Sequence, residues 1–122
     1  MEYLFVHYPK CSTCKKAKAW LDQNHIAYIE RDMKTENPSE AELKEWIKKS
    51  NYPVSKFFNT SGILYREWNM KEKVKTLPEE ELIRILASDG MLVKRPLLIG
   101  NDRVLVGFKE EDWKSLKRNE NS

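Results

Sequence analysis

The sequence reads as an α/β fold, a four-stranded mixed sheet flanked by helices. Three observations carry this expectation. At the start, a β-rich run, an amphipathic run and a second β-rich run follow one another with short connections, the pattern of a parallel βαβ unit. Helical periodicity then fills the middle of the chain. The last third changes to two short apolar runs around a turn, closed by one more helix.

Each element has its own warrant. Residues 3–8 are apolar and β-rich, and Pro9-Lys10 supplies turn chemistry behind them. Ala17, Trp20 and Leu21 recur at helical spacing, which predicts a helix over about 13–24, and residues 27–32 form the second strand. Ser39 and Glu42 make a capping box for a helix over about 40–50, with Leu43, Trp46 and Ile47 on its apolar face. Pro53 opens a short helical piece that ends near Asn59. Thr60-Ser61-Gly62 is a turn, and Ile63 to Arg66 reads as an extended or loop segment. Asn69 is placed to cap a short helix. Leu77-Pro78 opens a stronger one, with Leu82, Ile85 and Leu86 on one face and Gly90 at its end. Residues 97–99 and 103–106 are strands joined by the hairpin signal Gly100-Asn101-Asp102. A final helix over about 110–116 turns Trp113 and Leu116 inward, leaving 118–122 polar and frayed.

The bulk numbers bound the function. A chain of 122 residues fits one domain with a real core. Hydrophobic residues at 40% and charged residues at 34% exclude a disordered or membrane-embedded chain, and no run approaches a transmembrane span. The net charge of +3 permits anionic substrates without requiring nucleic acid. Two cysteines and no export signal place the chain in the cytoplasm, where a lasting structural disulfide is unusual.

Those two cysteines, Cys11 and Cys14, form a CxxC in the turn between the first strand and the first helix. Unpaired N–H groups of a first helical turn favour a thiolate, and Lys10, Lys15 and Lys16 add positive charge nearby. Cys14 follows one turn later, so the sulfurs can meet. The pattern describes a reactive thiol with a resolving partner. Half of a zinc site is the alternative, with His7 and His25 as the only further candidates, at spacings foreign to zinc fingers. A structural disulfide across so short a loop would stabilise weakly. His7 suits packing within its strand, and His25 a helix end. The four tryptophans, at 20, 46, 68 and 113, suit core or insert packing.

Three stretches carry a resemblance across nearly the whole chain: residues 8–17 around the CxxC, residues 57–66 (FFNTSGILYR) and residues 94–99 (KRPLLI). Together they resemble the bacterial arsenate reductase (ArsC)/Spx family of thioredoxin-fold proteins, in its reductase-like branch with a CxxC. The resemblance implies a single thioredoxin-like domain with strand order second, first, third, fourth, and with the helices over about residues 39–90 as an insert over the active site. It implies Cys11 as nucleophile and Cys14 as resolving thiol, with Arg66, Arg95 and Arg103 at the family's arginine positions as an oxyanion or substrate clamp. Pro96 matches the family's cis-proline beside the active cysteine. Guanidinium groups suit a tetrahedral dianion because each donates paired hydrogen bonds. Read without the resemblance, Arg66 beside Glu67 suits a surface ion pair, and Arg103 after a turn suits solvent.

The implied activity is that of a thiol oxidoreductase acting on a small oxyanion or a thiol/disulfide substrate. It would hold no bound cofactor or metal and take electrons from glutathione, glutaredoxin or thioredoxin. A monomer without nucleic acid or membrane partners is expected. The alternative is a non-enzymatic, Spx-like redox-sensing regulator that binds the RNA polymerase α subunit. The CxxC itself is as in Spx.

Overall fold

The computed structural model describes residues 2–120. The elements run β1 (Tyr3–His7), α1 (Ser12–Gln23), β2 (Tyr28–Asp32), α2 (Glu40–Ser50), a 3-10 turn (Val54–Phe57), α3 (Ile63–Glu67), α4 (Met70–Thr76), α5 (Glu79–Ser88), a second 3-10 turn (Gly90–Leu92), β3 (Leu97–Ile99), β4 (Val104–Val106) and α6 (Glu110–Glu120). The sheet order is β2-β1-β3-β4. β1 and β2 are parallel, while β3 runs antiparallel to both β1 and β4. This is the expected four-stranded mixed sheet of a thioredoxin-like fold.

Strand periodicity divides the interior into two cores. Tyr3 and Phe5 of β1 and Leu98 of β3 face α1 and α6, where Ala17, Leu21 and Trp113 complete one cluster. Val6 of β1 with Leu97 and Ile99 of β3 faces the opposite way, onto Leu43 and Ile47 of α2 and Leu82 and Leu86 of α5. The helices between residues 39 and 90 therefore cover one sheet face. The capping box is formed, with the Ser39 side chain accepting from the Glu42 N–H and the Glu42 carboxylate accepting from the Ser39 N–H. Two crossing contacts tie this layer to the segment that leads into β3. The Lys94 N–H donates to the Phe57 carbonyl at 2.7 Å, and the Asn59 N–H to the Leu92 carbonyl at 2.8 Å.

Three expectations are corrected. Residues 63–67 are helical, not extended: Asn59 and Gly62 close the preceding turn, and Leu64 and Tyr65 then pack on the core side. Gly90 does not terminate a helix. It lies buried against Met33, where an added Cβ would sit 1.8 Å from the Met33 carbonyl oxygen, so the need is for close approach rather than left-handed backbone. His25, by contrast, stands at the end of α1 as expected, in the left-handed region (φ 55°). There the His25 N–H bonds Asp22 and the Ile26 N–H bonds Leu21, a Schellman closure. Trp68 is 37% exposed, unlike the three buried tryptophans. The final helix runs past Leu116 to Glu120, and the end of the segment expected to fray lies outside the described residues.

Candidate functional site

The polypeptide leaves β1 through a tight turn in which the Cys11 N–H donates to the Tyr8 carbonyl at 2.9 Å. Cys11 is thereby the N-cap of α1, with extended backbone (φ −85°, ψ 125°), and its carbonyl accepts from the Lys15 N–H. An N-cap side chain faces the free N–H groups of the first turn, a position usually filled by a serine or aspartate oxygen. Here a sulfur occupies it, and no acidic residue in that turn competes. Burial pushes the Cys11 thiol up. The N–H and thiol of Cys14, the N–H of Thr13 and the positive charge of Arg95 outweigh burial, and Cys11 ends below its ordinary value.

Cys14 differs in every respect. It is fully buried on the inner face of α1, and burial drives its thiol up to about 12. Its sulfur accepts from the Tyr8 N–H at 3.5 Å. Both cysteines are free thiols. Cys14 thus keeps its proton while Cys11 readily loses its own, an asymmetry that one helical turn of spacing makes chemically useful.

Arg95 is the arginine that reaches this site. Its Nη1 lies 3.4 Å from the Met91 sulfur, and its guanidinium carbon 5.2 Å from the centre of the Tyr8 ring. Among the described residues it has no carboxylate partner, so its planar donors are available to an anion. The Arg95–Pro96 peptide is cis. The Gly107 N–H donates to the Pro96 carbonyl at 2.8 Å, and the indole N–H of Trp113 to the Gly107 carbonyl at 3.2 Å. These bonds fix the segment after β4 beside residues 95–96. Cys11 and Arg95 line a common cleft of about 890 Å³, shared with Asn59, with Ser61 to Leu64 and with Val106 to Lys109.

The other two arginines are not brought there. Arg66 is exposed on α3 and does not line the cleft, although Leu64 and Glu67 of the same helix do. Arg103 begins the hairpin's return at the opposite end of β4 from Val106. Its Nη2 donates to the Ser115 hydroxyl at 2.9 Å, and its Nη1 is buried without a partner. Of the three arginines expected at Cys11, Arg95 lines the cleft, whereas Arg66 stays exposed on α3 and the β3–β4 pairing carries Arg103 to the far end of the sheet.

The remaining candidates also find places. His7 is buried, stacked on Phe5 at 4.5 Å, with Nε2 3.6 Å from the Glu30 carboxylate; burial lowers its pKa. No group of three or more His, Cys, Asp or Glu side chains suited to a metal exists among the described residues. No helix among them is long and apolar enough to cross a membrane. Sequence reasoning missed Lys56, Lys94, Lys109, Met91 and Asn59 as cleft residues. Only Lys94, adjacent to Arg95, carried a usable signal.

The ArsC family model matches residues 6–116. An ArsC family related protein from Bacteroides fragilis has a crystal structure 52% identical in sequence, with a TM-score of 0.92, covering 95% of this chain and 98% of that one. The crystal structure of a possible arsenate reductase from Streptococcus mutans UA159 is 41% identical, with a TM-score of 0.84, over 92% of this chain and 97% of that one. The global transcriptional regulator Spx of Staphylococcus aureus is 31% identical over 104 residues, which are 85% of this chain and 78% of that protein.

Proposed function

The chain belongs to the ArsC family, and on that premise we propose that it is a cytoplasmic thiol-dependent oxidoreductase of the arsenate reductase-like type. Cys11 is the nucleophile, Cys14 the resolving thiol and Arg95 the anion ligand. One observation carries this reading: Cys11 is acidified at a helix N-cap beside a guanidinium that has no carboxylate partner among the described residues, while Cys14 keeps its proton to about 12.

The chemistry follows from that asymmetry. With an arsenate-like oxyanion, the thiolate displaces water to form a sulfur–arsenic bond. An external thiol then attacks the Cys11 sulfur, the arsenic leaves with the electron pair as arsenite, and a mixed disulfide remains. Cys14 attacks the same sulfur, releases the external thiol and closes the Cys11–Cys14 disulfide. Glutathione, glutaredoxin or thioredoxin returns the two electrons, and no bound cofactor or metal takes part. Arg66 and Arg103 have no part in this scheme.

A second reading draws on the likeness to Spx: the same pair serves as an oxidation switch on a regulator that binds the RNA polymerase α subunit. Two assays separate them. Thiol-coupled reduction of arsenate or a disulfide, lost in Cys11→Ser, supports the enzyme. Capture of the polymerase α subunit that changes between reduced and oxidised protein, with no turnover of either substrate, overturns it in favour of the regulator.

A further inference from the structure

A further sulfur, outside the two-cysteine chemistry, lies in the cleft. Met91 follows Gly90 in the second 3-10 turn, and backbone contacts set its position. Its N–H donates to the Asp89 carboxylate at 2.9 Å. The Val93 N–H closes the turn onto the Gly90 carbonyl at 3.1 Å, and Gly90 itself is wedged against Met33. The thioether is thereby held beside Arg95, four residues on, whose Nη1 donates to it at 3.4 Å. A thioether is a weak acceptor, so the contact leaves the guanidinium available to an anion.

Exposure singles this sulfur out for oxidation. Among the described methionines, Met33 and Met70 are sealed in the core at 0% exposure. Met91 is half-buried and lines the cleft with Cys11 and Arg95. Oxidants of thioethers arrive from solvent, so reach decides which methionine reacts. The surroundings also suit the reaction. A thioether sulfur carries two lone pairs, and Arg95 takes one. When a peroxide gives its terminal oxygen to sulfur, hydroxide departs, and the adjacent guanidinium stabilises that negative charge. The product then offers Arg95 something new, because a sulfoxide oxygen is a polar acceptor where the thioether was a weak one.

Resting on the oxidoreductase reading, in which Arg95 is the anion ligand, we propose that Met91 is a reversible oxidation site: peroxide converts it to the sulfoxide, whose oxygen takes up Arg95 donors in competition with the anion. A sulfur–oxygen bond forms and the peroxide O–O bond breaks. Sulfur loses two electrons, the peroxide gains them, and the proton on the transferred oxygen joins the departing hydroxide as water. Cys11 and Met91 answer to different exposures. The thiolate reacts first and is restored by thiols, whereas the sulfoxide requires a sulfoxide reductase. Heavy oxidation therefore leaves a chain whose cysteines can be reduced again while its anion site is occupied by its own side chain.

The test uses the full-length chain with Cys11 capped reversibly by methyl methanethiosulfonate. Hydrogen peroxide is added, dithiothreitol then frees the thiols and leaves sulfoxide in place, and peptide mapping locates it. Iodoacetamide alkylation of Cys11 under rising sulfate reads the anion site. Sulfoxide should form on Met91 well before Met33 or Met70. The sulfate needed for half-protection should then rise about tenfold, the lower end of what a hydrogen bond to a charged group contributes. Sulfoxide reductases acting on both epimers should return it to the starting value. Met91→Leu, which has no sulfur to oxidise, should show the same sulfate dependence before and after peroxide. Sulfoxide on Met33 or Met70 as early as on Met91, sulfate protection unchanged by Met91 sulfoxide, or an equal loss in peroxide-treated Met91→Leu would overturn the proposal. If circular dichroism shows Met91→Leu unfolded, the reductase arm decides, and protection that is not restored overturns it. Sulfate that fails to protect Cys11 in the untreated parent would instead overturn Arg95 as the anion ligand, and this proposal with it.

Discussion

Replacing Cys14 by alanine should slow Cys11 even in reactions that never use a second thiol. Burial holds the Cys14 proton in place to about 12, so at neutral pH its S–H remains a donor to the Cys11 thiolate. A hydrogen bond to a charged group contributes about 1.5–3 kcal/mol, and a thiol is a weak donor, which selects the lower end. At about 1.4 kcal/mol per factor of ten, the thiolate fraction below the midpoint should fall about tenfold. The N–H groups of Thr13 and Cys14 and the charge of Arg95 remain, so the thiol stays more acidic than an ordinary cysteine. Cys14→Ser keeps a donor and an acceptor for the Tyr8 N–H, and its rate should stay within about threefold of the parent, since O–H replaces S–H as the donor. Iodoacetamide alkylation of Cys11 against pH measures all three proteins. The profiles should separate at low pH and converge where the thiolate is fully formed. Superimposed profiles for parent and Cys14→Ala, with both folded by circular dichroism, would refute the argument.

Three further outcomes follow from the structure. Gly90→Ala would drive a Cβ to 1.8 Å from the Met33 carbonyl oxygen and 2.7 Å from its carbon; backbone cannot yield cheaply, so urea unfolding should show a loss of about 3 kcal/mol, and an unchanged midpoint would contradict the packing. Arg103→Ala should lose about 1 kcal/mol with the Ser115 bond and leave Cys11 alkylation unaltered, whereas a slower Cys11 would return Arg103 to the anion site. Glu42 is held down to about 2, chiefly by hydrogen bonds from Arg31. Because its folded pKa is depressed, the stability it adds is present above the ordinary glutamate value and is lost as pH falls through about 2. Screening at a partly exposed carboxylate limits this to about 1–2 kcal/mol. Glu42→Gln should flatten that acid limb of the unfolding curve, and an unflattened limb would assign the acid loss elsewhere.

What could be read beforehand was local. Cys11 was legible because strand, turn, cysteine and helix follow one another within a dozen residues, and the Ser39–Glu42 box because its partners stand three apart. The run from Ile63 to Arg66 misled because its residues suit strand or helix about equally. Its helix depends on a glycine N-cap without a side-chain bond and on packing against the core. Local sequence already suited Arg66 to a surface ion pair and Arg103 to solvent, and only the resemblance grouped them with Arg95. Strand pairing and the bonds through Gly107 bring only Arg95 to the cysteine. Lys94 and Lys109 stand fifteen positions apart, and their shared cleft exists only once β3 and β4 pair. Residue type announces a nucleophile in its turn, whereas the shape and charge of its surroundings are tertiary.

The central claim is the division of labour between the two cysteines, and intact-protein mass spectrometry with peptide mapping tests it most directly. Reduced parent, Cys11→Ser and Cys14→Ser proteins are exposed to oxidised glutathione, quenched in acid and mapped. The account predicts a persistent adduct on Cys11 in Cys14→Ser, a loss of two hydrogens without lasting adduct in the parent, and no adduct in Cys11→Ser. A first adduct on Cys14, or one that forms equally fast in Cys11→Ser, would contradict it.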